Sequence, residues 1–165
     1  AQLSVPMGVS MLSPVKPLPP VSFAYHNARI VRGRYPDQAA AKFVTDLGAR
    51  KFVSLGIGFP GDSEREFGRA NKIELIHFPV QVGFINDESF VSAIDYIVAK
   101  NSGSMIYVYD DDGYTFVGPL CAVLRRIEGW DTASALEECQ RFFPVGQMTA
   151  EVIRKISSFN IAKWR

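Results

Sequence analysis

Met105-Ile-Tyr-Val-Tyr-Asp110-Asp-Asp-Gly-Tyr-Thr-Phe-Val-Gly118 is the most informative segment of the chain. Six residues of strand character, Met105 to Asp110, run into a tight loop around Gly113, and an apolar helical pattern follows through Val117, Leu120, Cys121, Leu124 and Ile127. Pro119 is compatible with that helix because it falls in the first turn, where its missing N–H is not needed. Strand, tight loop and helix N-terminus together make an anion cradle, since unpaired helix N–H groups and the positive dipole end point into the loop.

Outward from this segment the pattern alternates. Phe23–His26 and Arg29–Arg32 are predicted as short strands around a turn at Asn27-Ala28. Asp37 is predicted to cap a helix carrying Ala40, Phe43, Val44 and Leu47, ended by Gly48. Phe52–Leu55 reads as a buried strand, and a Gly/Pro loop from Gly56 to Gly61 leads to a short polar helix over 63–71. A strand over Ile73–Val80 follows, then the loop Gln81–Asn86 and a helix from Asp87, its predicted N-cap, to about Lys100. Asp131 and Thr149 are predicted to cap two further helices. The expected fold is α/β: a central sheet of about five strands flanked by helices, with a helical C-terminal third.

Residues 1–20 hold five of the ten prolines and are expected to form an extended arm or linker, leaving 21–165 as the folded domain. Pro17 to Pro20 also matches a PxxP docking peptide. The chain starts at Ala1 rather than Met, as a processed form or an excised domain would. A net charge of +1, from 18 basic and 17 acidic residues, gives no reason to expect a nucleic-acid partner. No apolar run approaches a membrane span, and Leu3–Leu12 lacks the basic flank of a signal peptide, so no membrane association is expected. With only Cys121 and Cys139, a disulfide framework is not expected, and the location implied is intracellular and cytoplasmic.

The loop resembles that of the cysteine-dependent phosphatase superfamily, particularly the plant-and-fungal atypical dual-specificity type, whose motif is His-Cys-x5-Arg followed by Thr/Ser-Gly. Tyr109 stands at the histidine position, Asp110 at the cysteine, Phe116 at the arginine and Val117-Gly118 at the closing pair. Arg32-Gly33-Arg34-Tyr35-Pro36, Leu47-Gly48-Ala49-Arg50, His77-Phe78-Pro79-Val80, Gly129-Trp130-Asp131 and Ala135-Leu136-Glu137-Glu138 resemble further segments of that group. The resemblance implies a phosphate loop over Tyr109, Asp110, Asp111, Asp112, Gly113, Tyr114, Thr115 and Phe116, here degenerate. Asp110 has no thiol, Phe116 has no donor for phosphate oxygens, and the general acid's position falls near Val82.

Three carboxylates in the loop oppose a dianion, and they could satisfy the loop N–H groups themselves. The expectation is therefore a pseudophosphatase without catalytic residues, cofactor or metal, serving as a binding or scaffold subunit for a protein partner or larger assembly.

The alternative is a magnesium-dependent phosphatase of haloacid-dehalogenase type, with Asp110 as nucleophile in Asp110-Asp111-Asp112-Gly113. That family requires a later lysine and an acidic metal pair on further strands, and the 47 residues after Gly118 read as mostly helical. An EF-hand loop starting at Asp110 would meet Cys121 where a bidentate Glu is required. His26 and His77 lack zinc-ligand spacing, and Cys121 and Cys139 are read as packing residues. Arg125-Arg126 and Arg154-Lys155 are read as solvated helix faces.

Overall fold

The computed structural model describes residues 15–165 except 57, 59, 60, 82, 84, 86, 101 and 102. The PxxP prolines at 17, 19 and 20 are therefore described, whereas Val82, at the predicted acid position, lies outside.

Five strands form one sheet in the order β1-β2-β5-β3-β4: β1 (Ala24–Tyr25), β2 (Ile30–Arg34), β3 (Ala49–Gly56), β4 (Glu74–Pro79) and β5 (Met105–Asp110). Only β1 is antiparallel to its neighbour; β2, β5, β3 and β4 run parallel. The helices are α1 (Gln38–Leu47), α2 (Asp62–Ala70), α3 (Glu88–Lys100), α4 (Val117–Ile127), α5 (Thr132–Phe142) and α6 (Ala150–Ser158). The α/β architecture and helical C-terminal third agree with the expectation from sequence.

Alternation along β5 explains how both sheet faces are covered. Ile106 and Val108 belong to an apolar cluster with Phe90, Ile94, Val117 and Leu120, whereas Tyr107 and Tyr109 join Val31, Val44, Phe52 and Phe67 on the other face. A parallel strand buried on both faces reads as a continuous apolar run, which is why Met-Ile-Tyr-Val-Tyr carries no polar alternation. Burying each such side chain contributes on the order of 1.5–3 kcal/mol.

Caps set where the helices begin and end. Asp37 accepts a hydrogen bond from the Ala40 N–H at 2.8 Å, and Gly48 at φ 119° closes α1 in the left-handed conformation. Asp131 and Thr149 cap α5 and α6 through the N–H groups of Ser134 and Val152. The Asp87 carbonyl accepts from Val91, so Asp87 stands at the start of α3.

The parallel strands all end on one side, bringing Arg34, Gly56, Pro79 and Asp110 to the carboxyl edge of the sheet. There β5 lies between β2 and β3, the place where open α/β sheets form their binding crevices. Segment 18–21 packs over this edge: Leu18 donates its N–H to the Ala39 carbonyl, Arg34 donates to Val21, and Pro20 is buried.

Candidate phosphate-loop site

Asp110, the last residue of β5, carries a carboxylate that is 1 % exposed. One oxygen accepts from the Gly113 N–H at 2.5 Å; the other accepts from Phe116 at 2.7 Å and Val117 at 3.0 Å. Three backbone donors, one in the loop and two at the start of α4, thus converge on one acidic side chain. Burial pushes the Asp110 pKa up to about 6, with the charge of Asp112 adding to the shift and the three N–H groups opposing it.

Gly113 is required for this turn. Its φ is 91°, and a Cβ there would meet the Ser22 side chain at 2.9 Å, so any other residue would push the loop off segment 20–22.

The rest of the loop divides its work. Asp112 turns inward on its own backbone, accepting from the N–H groups of Tyr114 and Thr115 at 2.9 Å each and from the Thr115 hydroxyl at 2.5 Å. These bonds hold its pKa below the usual carboxylate range despite partial burial. Asp111 is exposed. The Tyr114 ring packs edge-on against Phe143, and Phe116 is buried in the α4-side apolar cluster. Tyr109 points to the opposite sheet face and stacks on Tyr107; burial pushes its hydroxyl pKa up.

Beside the loop is a cleft of about 190 Å³ lined by Tyr35, Ser54, Glu64, Tyr109, Asp110 and Asp111 among others. Glu64 enters it from the first turn of α2, 7 % exposed, with one oxygen accepting from the Gly61 N–H at 3.0 Å. Sequence reasoning missed Glu64, Tyr35 and Ser54. Glu64 stands three residues after Gly61 in a capping pattern, which signals a helix start but not proximity to Asp110.

Behind the loop is a second group of polar residues. Arg32 is 2 % exposed, with its guanidinium 3.8 Å from the centre of the Phe142 ring and one N–H donating to the Gly113 carbonyl at 3.4 Å. His26, read from sequence as isolated, pairs through Nε2 with Glu128 at 2.8 Å. Its Nδ1 faces the Cys121 thiol without a standard hydrogen bond. Burial alone would lower the His26 pKa, but Cys121 and Glu128 outweigh it and raise it to about 9. Cys121 is fully buried; burial would raise its pKa, but Arg32 and His26 hold it below the usual thiol range. Burial pushes Cys139 up to about 12.

The His26 shift makes stability depend on pH in a definite direction. Folding raises its pKa from 6.5 to about 9, so the folded state binds the proton more tightly. The resulting stabilisation is complete below pH 6.5 and is lost as pH rises through about 9. Its upper bound is on the order of 3 kcal/mol. Thermal unfolding should therefore show wild type ahead of Glu128→Gln at pH 6, with the gap narrowing by pH 10; a constant gap would contradict the coupling.

The family model described as "Tyrosine phosphatase family" matches residues 17–163. This chain belongs to the tyrosine phosphatase family. Two relatives are similar in sequence. The Arabidopsis thaliana inositol diphosphatase DSP4 is 25% identical over 130 residues, covering 76% of this chain and 65% of that protein. A Yarrowia lipolytica protein assigned as the tyrosine-protein phosphatase OCA1 is 26% identical over 135 residues, covering 78% and 53%. The chain thus spans between about half and two thirds of these relatives.

Among solved family folds, the core catalytic domain of the PP-IP phosphatase SIW14 from S. cerevisiae, in complex with citrate, superposes with a TM-score of 0.82 at 17% identity. The match covers 90% of this chain and 91% of that one.

The expectation of a non-catalytic scaffold is corrected here. The relatives that the chain matches carry the names of phosphatases, and none of these findings supports a scaffold role. The haloacid-dehalogenase alternative is corrected with it. The chain belongs to a different phosphatase family, and the Asp110 carboxylate is held by backbone donors of its own loop.

Proposed function

We propose that this domain hydrolyses phosphate esters or phosphoanhydrides at the loop from Asp110 to Val117, the reactions that the names of its relatives denote. One observation carries the reading: the N–H groups of Gly113, Phe116 and Val117 converge on the two oxygens of one carboxylate, that of Asp110, beside the start of α4.

Thiolate attack has no counterpart at residue 110, so the reaction uses water. A cleft carboxylate, Glu64 or Asp111, takes a proton from a water whose oxygen bonds to phosphorus. The ester or anhydride P–O bond breaks, and protonated Asp110 gives its proton to the departing oxygen, that of an alcohol from an ester or of a phosphate from a diphosphate. A carboxyl group with a pKa of about 6 is suited to that donation near neutrality. Protonation also loosens the grip of Asp110 on the loop N–H groups, which then turn to the phosphoryl oxygens.

The test is phosphate release from a phosphotyrosine peptide and from a diphosphoinositol phosphate between pH 5 and 8. Turnover should rise as pH falls from 8 towards 6, and Asp110→Asn should lower it by about 100-fold or more. No release from either substrate, or an undiminished rate in Asp110→Asn, would overturn the proposal.

A further inference from the structure

The four parallel strands begin at the edge of the sheet opposite the phosphate loop, and that amino edge is basic. Arg29 precedes β2, Arg50 follows Ala49 at the start of β3, and Lys72 stands just before β4. Arg69 joins them from the last turn of α2. All four are exposed, and among the described residues none has a carboxylate partner. Two acids nearby are already matched, Asp46 with Lys42 at 3.5 Å and Glu74 with Lys51 at 3.6 Å. The opposite edge carries Glu64, Asp110 and Asp111 around the cleft, so a chain with a formal charge of only +1 is polarised along its strands.

Part of this pattern serves folding. Cations are favoured near helix carboxyl ends, where Arg69 lies, and one Arg50 nitrogen donates to the carbonyls of Thr45 at 2.9 Å and Ala49 at 2.8 Å. Lys72 has no such reason to be there. Its φ is 57°, in the left-handed region where glycine or asparagine is the cheaper residue. Leu47, three residues before Arg50, is 37 % exposed at the end of α1.

The row is broad and shallow. Because β5 lies between β2 and β3, Arg29 and Arg50 are about 10 Å apart, with Lys72 about 5 Å further along. The adjoining cavity of about 190 Å³ mixes Asp46 with Lys42 and Arg50, so it is a poor seat for a small anion. A flat anionic surface meets the whole row at once, and an exposed leucine among cations suits the boundary between lipid headgroups and acyl chains. Single-stranded nucleic acid would want aromatic platforms, which none of these residues supplies.

We infer that the amino edge of the sheet docks on an anionic lipid bilayer, with Arg29, Arg50, Arg69 and Lys72 on headgroup phosphates and Leu47 entering the interface. Docked in this way, the domain turns the Asp110 cleft away from the bilayer. Surface docking needs no spanning segment, and it does not depend on the phosphate-release reading.

The experiment is cosedimentation of the full chain with vesicles of phosphatidylcholine, alone or with about 30 % phosphatidylserine, at about 0.1 M salt. The serine-containing vesicles should bind at least about tenfold more tightly, and the difference should vanish at about 1 M salt. Arg50→Ala and Lys72→Gly should each weaken binding by about fivefold. Lys72→Gly also relieves the left-handed backbone, so its loss of binding is not a loss of folding. Leu47→Asn should weaken binding by about as much, whereas Arg34→Ala, an equal charge loss at the opposite edge, should leave it unchanged.

Equal binding to the two kinds of vesicle overturns the inference. Equal losses in Arg34→Ala and Lys72→Gly do so as well, since general charge would then be responsible. Tighter capture by immobilised polyglutamate than by the serine-containing vesicles would make the partner an acidic protein and overturn it too.

Discussion

Asp110→Ala is expected to lower the unfolding free energy by about 2–4 kcal/mol and to convert the loop into a site stabilised by free phosphate. The variant leaves the N–H groups of Gly113, Phe116 and Val117 without their acceptor. Each unsatisfied buried donor costs about 1–3 kcal/mol.

One gain offsets part of that loss. Folding raises the Asp110 pKa from 3.8 to about 6, so the folded state favours the protonated carboxyl. The corresponding stability is complete below pH 3.8 and is lost as pH rises through about 6. Above that pH the buried charge weakens the wild type by roughly 3 kcal/mol relative to a carboxyl with an unshifted pKa. Alanine removes this cost along with the bonds, so the net destabilisation should be smaller at pH 8 than at pH 5.

Inorganic phosphate then discriminates the loop's role. In the variant it can enter the vacated cradle, with Arg32 behind the loop, and at about 100 times its dissociation constant it should restore about 2.7 kcal/mol. At pH 8, where the Asp110 carboxylate is ionised and occupies the donors, wild type should gain much less. Thermal unfolding with and without phosphate is the measurement. Equal phosphate stabilisation of both proteins would show that these N–H groups are not an anion site.

The second large effect concerns chemistry rather than stability. The double variant Asp110→Cys with Phe116→Arg should raise phosphate release from a phosphotyrosine peptide by about 100-fold over wild type. A thiol beneath the N–H groups of Phe116 and Val117 would have its pKa lowered by the helix N-terminus, and a guanidinium at 116 would supply the planar fork for two phosphoryl oxygens. Phe116 is 8 % exposed and packs in the α4-side cluster, so the arginine must turn into the loop, and some stability will be lost. Asp110→Cys alone should lower turnover, because it removes the proton donor and lacks the clamp. Trapping of vanadate by the double variant gives a readout independent of turnover; failure to bind it would mean the loop cannot open to an oxyanion.

Much of the framework is legible in local residue patterns. Asp37 and Gly48 mark the ends of α1 through local backbone chemistry, and Met105–Asp110 is a strand because its apolar run serves two cores at once. The cradle was legible for the same local reason: its three donors lie within seven residues of Asp110.

What surrounds the cradle is set by long-range packing. His26 meets Glu128 across 102 positions in the chain, Glu64 reaches the Asp110 cleft from α2, and segment 18–21 joins Asp111 in one groove. No periodicity or cap records these meetings. They follow from parallel strands converging on one sheet edge, where contacts between distant residues are set by packing rather than by local propensity.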